Sequence, residues 1–129
     1  MDTRPPVQLT APAEPGSARL ARMLASGVAA DAGLSIDDTE DLRIAVSELV
    51  ALLVDGVDDP STPIVVRYRA EEGEVVVDGE RPAAPTGGDS TAVDDLALEI
   101  LRVVVDVHSF DADETGRRFH LVKRARAST

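Results

Sequence analysis

The chain of 129 residues has no cysteine and no tryptophan. Without thiols there is no disulfide, no thiolate metal site and no cysteine nucleophile. Aromatic residues are limited to Tyr68, Phe110 and Phe119, too few for a platform on which bases stack. The core must therefore come from Val, Leu, Ile and Ala. Lysine is scarce as well, Lys123 being the only one. Positive charge is in deficit: 13 basic residues face 24 acidic ones, a net charge of −11. Such a chain repels a phosphate backbone, which argues against nucleic acid as a direct partner. It suits a basic protein surface, with charge steering the encounter, and it also serves solubility alone. No apolar run approaches the roughly 18 residues of a membrane helix. Residues 1–16 lack the apolar stretch of a secretory signal, so a cytoplasmic protein is expected.

What is present fits one domain, since a second core needs roughly 50–100 residues more. The domain is expected over 7–124, with residues 1–6 and 125–129 as disordered ends. Val7, Leu9 and Ala11 alternate with Gln8 and Thr10 as a short strand, ended by Pro12 and Pro15. Ser17 is a candidate cap for a helix running to about Ala32, with Leu20, Leu24, Gly27 and Val28 as its apolar repeat and Gly33 as terminator. Ser35 is the candidate N-cap of a second helix, with Asp37, Asp38 and Glu40 where the helix dipole favours anions. From Leu42 to Val54 that helix is so apolar that burial on more than one side follows.

Asp58-Asp59-Pro60 is a loop. Residues 64–70 alternate as a strand, with Ile64, Val66 and Tyr68 on one face. A turn at Glu71-Glu72-Gly73 leads to a second strand over 74–78. Residues 79–92 hold two prolines, two adjacent glycines and no apolar side chain larger than alanine, the mark of a long loop. Leu96, Ile100, Val103, Val104 and Val107 give a third helix an apolar stripe. Strands over about 107–112 and 117–123, joined at Glu114-Thr115-Gly116, complete the order β-α-α-β-β-loop-α-β-β. Two hairpins impose antiparallel pairing. The fold class expected is α+β: a two-layer sandwich whose mixed or antiparallel sheet is covered on one face by three helices.

Few side chains are candidates for chemistry. Glu48 sits inside the apolar run of the second helix, where a partly desolvated carboxylate serves as a general base. Asp41, Glu48 and Asp55 also recur every seventh residue, so a solvated stripe is the competing reading. His108 and His120 fall on strands with no metal-ligand spacing. Thr86-Gly87-Gly88-Asp89-Ser90 is glycine-rich without a phosphate-loop lysine. Arg19 and Arg22, three apart on the first helix, form a candidate contact pair, because arginine is enriched at binding hot spots.

Two segments resemble a known family. Residues 9–22, LTAPAEPGSARLAR, resemble the opening of the RsbW/SpoIIAB-like anti-sigma regulatory factors, members of the GHKL superfamily with its Bergerat fold. Residues 41–50, DLRIAVSELV, resemble their first ATP-site helix. The resemblance implies a general-base role in serine phosphorylation for Glu48 and a partner-contact role for Arg22 of the Ala21-Arg22 pair, with Arg19 beside it. It also implies a homodimer, a sigma factor as partner and a STAS-domain anti-anti-sigma factor as competitor.

The family's nucleotide motifs depart from their pattern. The magnesium-holding asparagine is replaced by Leu52, which offers no side-chain oxygen to a hard cation. Asp78 matches the adenine aspartate in one register, where Glu80 and Pro82 stand in place of glycines; in the register in which Gly79 fits, Val77 replaces the aspartate. Asp94 and Asp95 open the third helix where a phosphate segment is expected, and they repel a phosphate. The chain thus resembles the divergent actinobacterial anti-sigma factors: no metal, no nucleotide cofactor and no kinase activity are expected. The rival expectation is an active ATP- and magnesium-dependent serine kinase acting on a STAS protein.

Overall fold

The computed structural model describes residues 5–59, 61–83 and 95–126. In chain order these form β1 (Val7–Pro12), α1 (Gly16–Asp31), α2 (Ile36–Val54), β2 (Pro63–Glu71), β3 (Glu74–Pro82), α3 (Asp95–Val104), β4 (Val107–Asp113) and β5 (Gly116–Arg124). Among the described residues the strands make one sheet in the order β1-β2-β3-β5-β4, and every neighbouring pair is antiparallel. The expected α+β architecture is present, with the sheet fully antiparallel rather than mixed. Two tight turns set that pairing. Glu72-Gly73 joins β2 to β3, with Gly73 at φ +73°, a left-handed conformation that glycine adopts without a Cβ penalty. Between β4 and β5 the Asp113 carboxylate accepts from the Thr115 amide (2.9 Å) and the Thr115 hydroxyl (2.6 Å), closing the turn locally.

Alternation along the strands divides the sheet into two faces. Ile64, Val66 and Tyr68 of β2, Val75 and Val77 of β3, and Phe119 and Leu121 of β5 are buried with α1, α2 and α3 in one core. The other face carries Arg67, Asp78, Glu80, Arg118 and His120. Tyr68 is fully buried, and its hydroxyl donates to the Ala21 carbonyl at 2.9 Å. Burial pushes its phenol well above the usual tyrosine range.

The helices correct several expectations. Ser17 does not cap α1: the helix begins at Gly16, and the buried Ser17 hydroxyl donates to the Pro12 carbonyl at 2.7 Å. The buried stripe of α1 is Ser17, Ala21, Ala25 and Ala29 with Val28, not the leucines. Small side chains four apart let α1 lie close to its neighbours, while Leu20 and Gly27 turn outward. Ser35 does cap α2, accepting from the Asp38 amide at 3.0 Å. In α3 the buried residues are Ala97, Leu101 and Val104. At about 100° per residue this face lies roughly a quarter turn from the expected stripe. Leu96 and Val103 are exposed, and Val107 belongs to β4.

β3 continues through Pro82, so residues 79–82 are strand where a loop is expected. The rest of that expected loop, from 84 on, lies outside the described residues, as do 1–4 and 127–129. Ala125 and Arg126 are not a loose tail. Ala125 donates to the Gly73 carbonyl at 2.8 Å, and the Arg126 amide donates to Asp38 Oδ2 at 3.0 Å.

Candidate functional site

Residues of the sequence-derived candidate site separate onto three surfaces. The first is a groove of about 260 Å³ between α1 and α2, lined by Arg22, Glu40, Arg43, Ile44, Ser47 and Glu48. Arg22 reaches across it and donates from Nη1 to Ser47 Oγ at 3.1 Å. Arg43 pairs with Glu40 on the same helix at 3.1 Å. Glu48 is half-buried at the groove wall, so the two family-implied residues Glu48 and Arg22 share one surface. Arg19, Leu20 and Met23 are exposed on the adjoining face of α1, and Ile44 is partly exposed within the groove. Such a mixture of apolar and arginine side chains is the chemistry of protein contact. Asp41 and Asp55, which share the helical face of Glu48, differ from it: Asp55 is exposed, whereas Asp41 sits 3.5 Å from Lys123 Nζ.

The second surface is the helix-facing side of the sheet near the end of α2. Leu52 stands where the resemblance expects a magnesium ligand. Its carbonyl accepts from Arg117 Nη1 at 2.7 Å. The reason is local: the last carbonyls of a helix lack intrahelical donors, and a cation there complements the helix dipole. Arg117 is buried on β5, in register with the equally buried Arg81 on β3. Gly79 also faces inward, with the Phe119 ring against it; a Cβ on Gly79 would lie 2.2 Å from Phe119 Cε2. A leucine side chain and a phenyl ring offer no oxygen to a magnesium ion, whereas guanidinium groups are suited to phosphate. The cationic groups oppose a divalent metal, and no carboxylate or amide oxygen is supplied there as a ligand by Leu52.

The third surface is the outward face of the sheet. Asp78 lies there, on the side away from α2, because it alternates with the inward Val77 and Gly79. Its Oδ1 is 2.7 Å from His120 Nδ1 on the neighbouring strand. Asp78 and Gly79, the two residues matched to the adenine motif, thus face opposite sides of the sheet, and Glu48 lies in the α1–α2 groove. Asp95 is exposed at the start of α3; Asp94 and the segment Thr86-Gly87-Gly88-Asp89-Ser90 lie outside the described residues. His108 and His120 are on strands as expected, and among the described residues no three His, Asp or Glu side chains come together as a metal site.

Sequence reading missed a buried ion-pair cluster. Lys123 is inward on β5 and lies 3.5 Å from both Asp38 and Asp41; Arg126 Nε lies 3.2 Å from Asp38 and its Nη2 bonds Asp41. Burial would raise the Asp38 carboxyl. The Arg126 amide, the Lys123 ammonium and Ser35 outweigh it and hold the group below its ordinary range. The signal was present, since the only lysine occupies an inward position in the alternation Arg117, Phe119, Leu121, Lys123.

No family model matches the chain, and no curated protein matches it either. Among solved structures it is similar to the crystal structure of the RsbU and RsbW domains of Rv1364c from Mycobacterium tuberculosis. That similarity has a TM-score of 0.72 at 24% sequence identity, over 98% of this chain and 35% of the other. The chain thus spans about a third of that protein's chain. At this identity the likeness concerns fold, and the antiparallel sheet with its helical layer is an RsbW-like fold.

Proposed function

We propose that the chain is a regulatory binding module of the anti-sigma type, one that sequesters a sigma factor in the cytoplasm and is opposed by a STAS-domain competitor. It works without nucleotide, metal or kinase chemistry, as a divergent actinobacterial member of the RsbW/SpoIIAB-like proteins. The observation that carries this reading is the α1–α2 groove. There Arg22 is held by Ser47 and flanked by Arg19, Leu20, Met23 and Ile44. The RsbW-like fold supports it, as does the placement of Arg117 against the Leu52 carbonyl and of Asp78 on the far side of the sheet. Glu48 is then a groove-wall residue and not a base.

Sequestration follows from geometry and charge. An apolar surface with fixed arginines buries a complementary patch on the partner, and the acidic remainder of the molecule attracts a basic one. Release depends on competition for the same face, because two partners cannot occupy one groove.

The test is binding of the purified protein to each sigma factor and STAS protein of its own genome. One pair is expected to bind, with Arg22→Ala weakening the complex by roughly tenfold or more, as for an arginine hot spot. Binding to none of them contradicts the proposal. Phosphate transfer to a STAS serine, lost in Glu48→Gln, would establish the rival kinase reading instead.

A further inference from the structure

α3 has more apolar surface than the core uses. Ala97, Leu101 and Val104 are buried, but Leu96 is 65% and Val103 79% exposed, with Ile100 between them half-buried. At 100° per residue Leu96, Ile100 and Val103 form one continuous flank beside the buried stripe. This i, i+4, i+7 spacing is the anchor pattern with which helices dock on one another. The border of that flank on α3 carries the exposed carboxylates Asp95 and Glu99; Asp106 follows past the helix end, where its Oδ2 accepts from the Arg124 amide at 2.7 Å. Arg102, the single basic group on the helix, is exposed and lies 3.5 Å from Glu99.

From this we infer that α3 is a second protein-docking surface, separate from the α1–α2 groove, and that its occupant is a basic amphipathic helix of a partner protein. Charge chooses between occupants. A second copy of this chain would bring the same carboxylates and another net −11 to the contact, and like charges across an interface oppose association. A helix with leucine-like anchors and a lysine or arginine border would bury the flank and pair with Asp95 and Glu99. The inference uses neither Arg22 nor the absence of nucleotide, so it stands or falls apart from the proposed function.

The probe is a short helical peptide of leucine and lysine in amphipathic order, with a leucine–glutamate peptide of the same pattern as control. It is titrated into isotope-labelled protein and followed by amide chemical shifts. The shifts are expected to centre on α3, to be absent with the control, and to shrink at higher salt. Val103→Glu should weaken binding by roughly tenfold or more, as when one anchor of an interface is removed, and Arg22→Ala should leave it unchanged. Because Val103 points outward, the melting curves of Val103→Glu and of the milder Val103→Ser verify that the fold is retained. Shifts spread over the whole acidic surface, or binding indifferent to both Val103 variants, overturn the inference. So does sedimentation showing a dimer that Val103→Glu separates, since a second copy would then be the occupant.

Discussion

Among single residues, Gly79 shows how a motif position acquires a structural reason. The Phe119 ring occupies the space of its missing Cβ. Gly79→Ala is therefore expected to destabilise the fold by about 1–3 kcal/mol through overpacking, measured by urea unfolding. Phe119→Leu in the same chain should recover part of the loss. The Asp38–Lys123 pair makes a second prediction. Removing one partner of a buried pair costs about 3–5 kcal/mol when the remaining charge is left alone; Arg126 stays beside Asp38, so Lys123→Met should destabilise by less than that. Asp38 is held below its ordinary range. The folded state therefore binds the proton more weakly than the unfolded chain, and the stabilisation is present above the unfolded value of about 3.9. It fades as pH falls below that value toward the folded one. Unfolding curves between neutral and acid pH should show a larger loss in the wild type than in Asp38→Asn.

At the level of elements, Ser35 makes the simplest case. Its hydroxyl satisfies the Asp38 amide at the start of α2, so Ser35→Ala should lower stability by about 1 kcal/mol, read from the denaturant midpoint. Much of the element order was legible because it rests on local rules: alternation in β2, apolar density in α2, a glycine at the β2–β3 turn. What escaped the sequence depended on partners distant in the chain. The α1 stripe is built from alanines because the neighbouring layer is close, and propensity does not report that distance. The α3 face is set by packing on α2, whereas its periodicity alone favours Leu96 and Val103. Two prolines, two adjacent glycines and the lack of large apolar side chains over 79–92 predict that β3 ends at Asp78. In the fold β5 pairs with β3 as far as Pro82, and Pro82 sits at the strand's end, where its missing N–H is tolerated. For the site, spacing placed Glu48 and Arg22 correctly on the two helices; that they share a groove, and that Asp78 faces away from it, required the sheet register.

For the whole molecule, net charge and fold point the same way. The Leu52 carbonyl is taken by the chain's own Arg117, while the large exposed apolar residues sit on α1, α2 and α3, apart from Val7 and Val107 on strands. On the proposed function such a molecule holds proteins at its helical surface rather than a metal–nucleotide between helix and sheet. The measurement that bears most directly on this claim is calorimetry with ATP and ADP, with and without Mg²⁺, at millimolar ligand, paired with thermal unfolding in the same solutions. The account predicts no binding heat and an unchanged melting temperature. Micromolar binding with a thermal shift, lost in Glu48→Gln or Asp78→Asn, would contradict it.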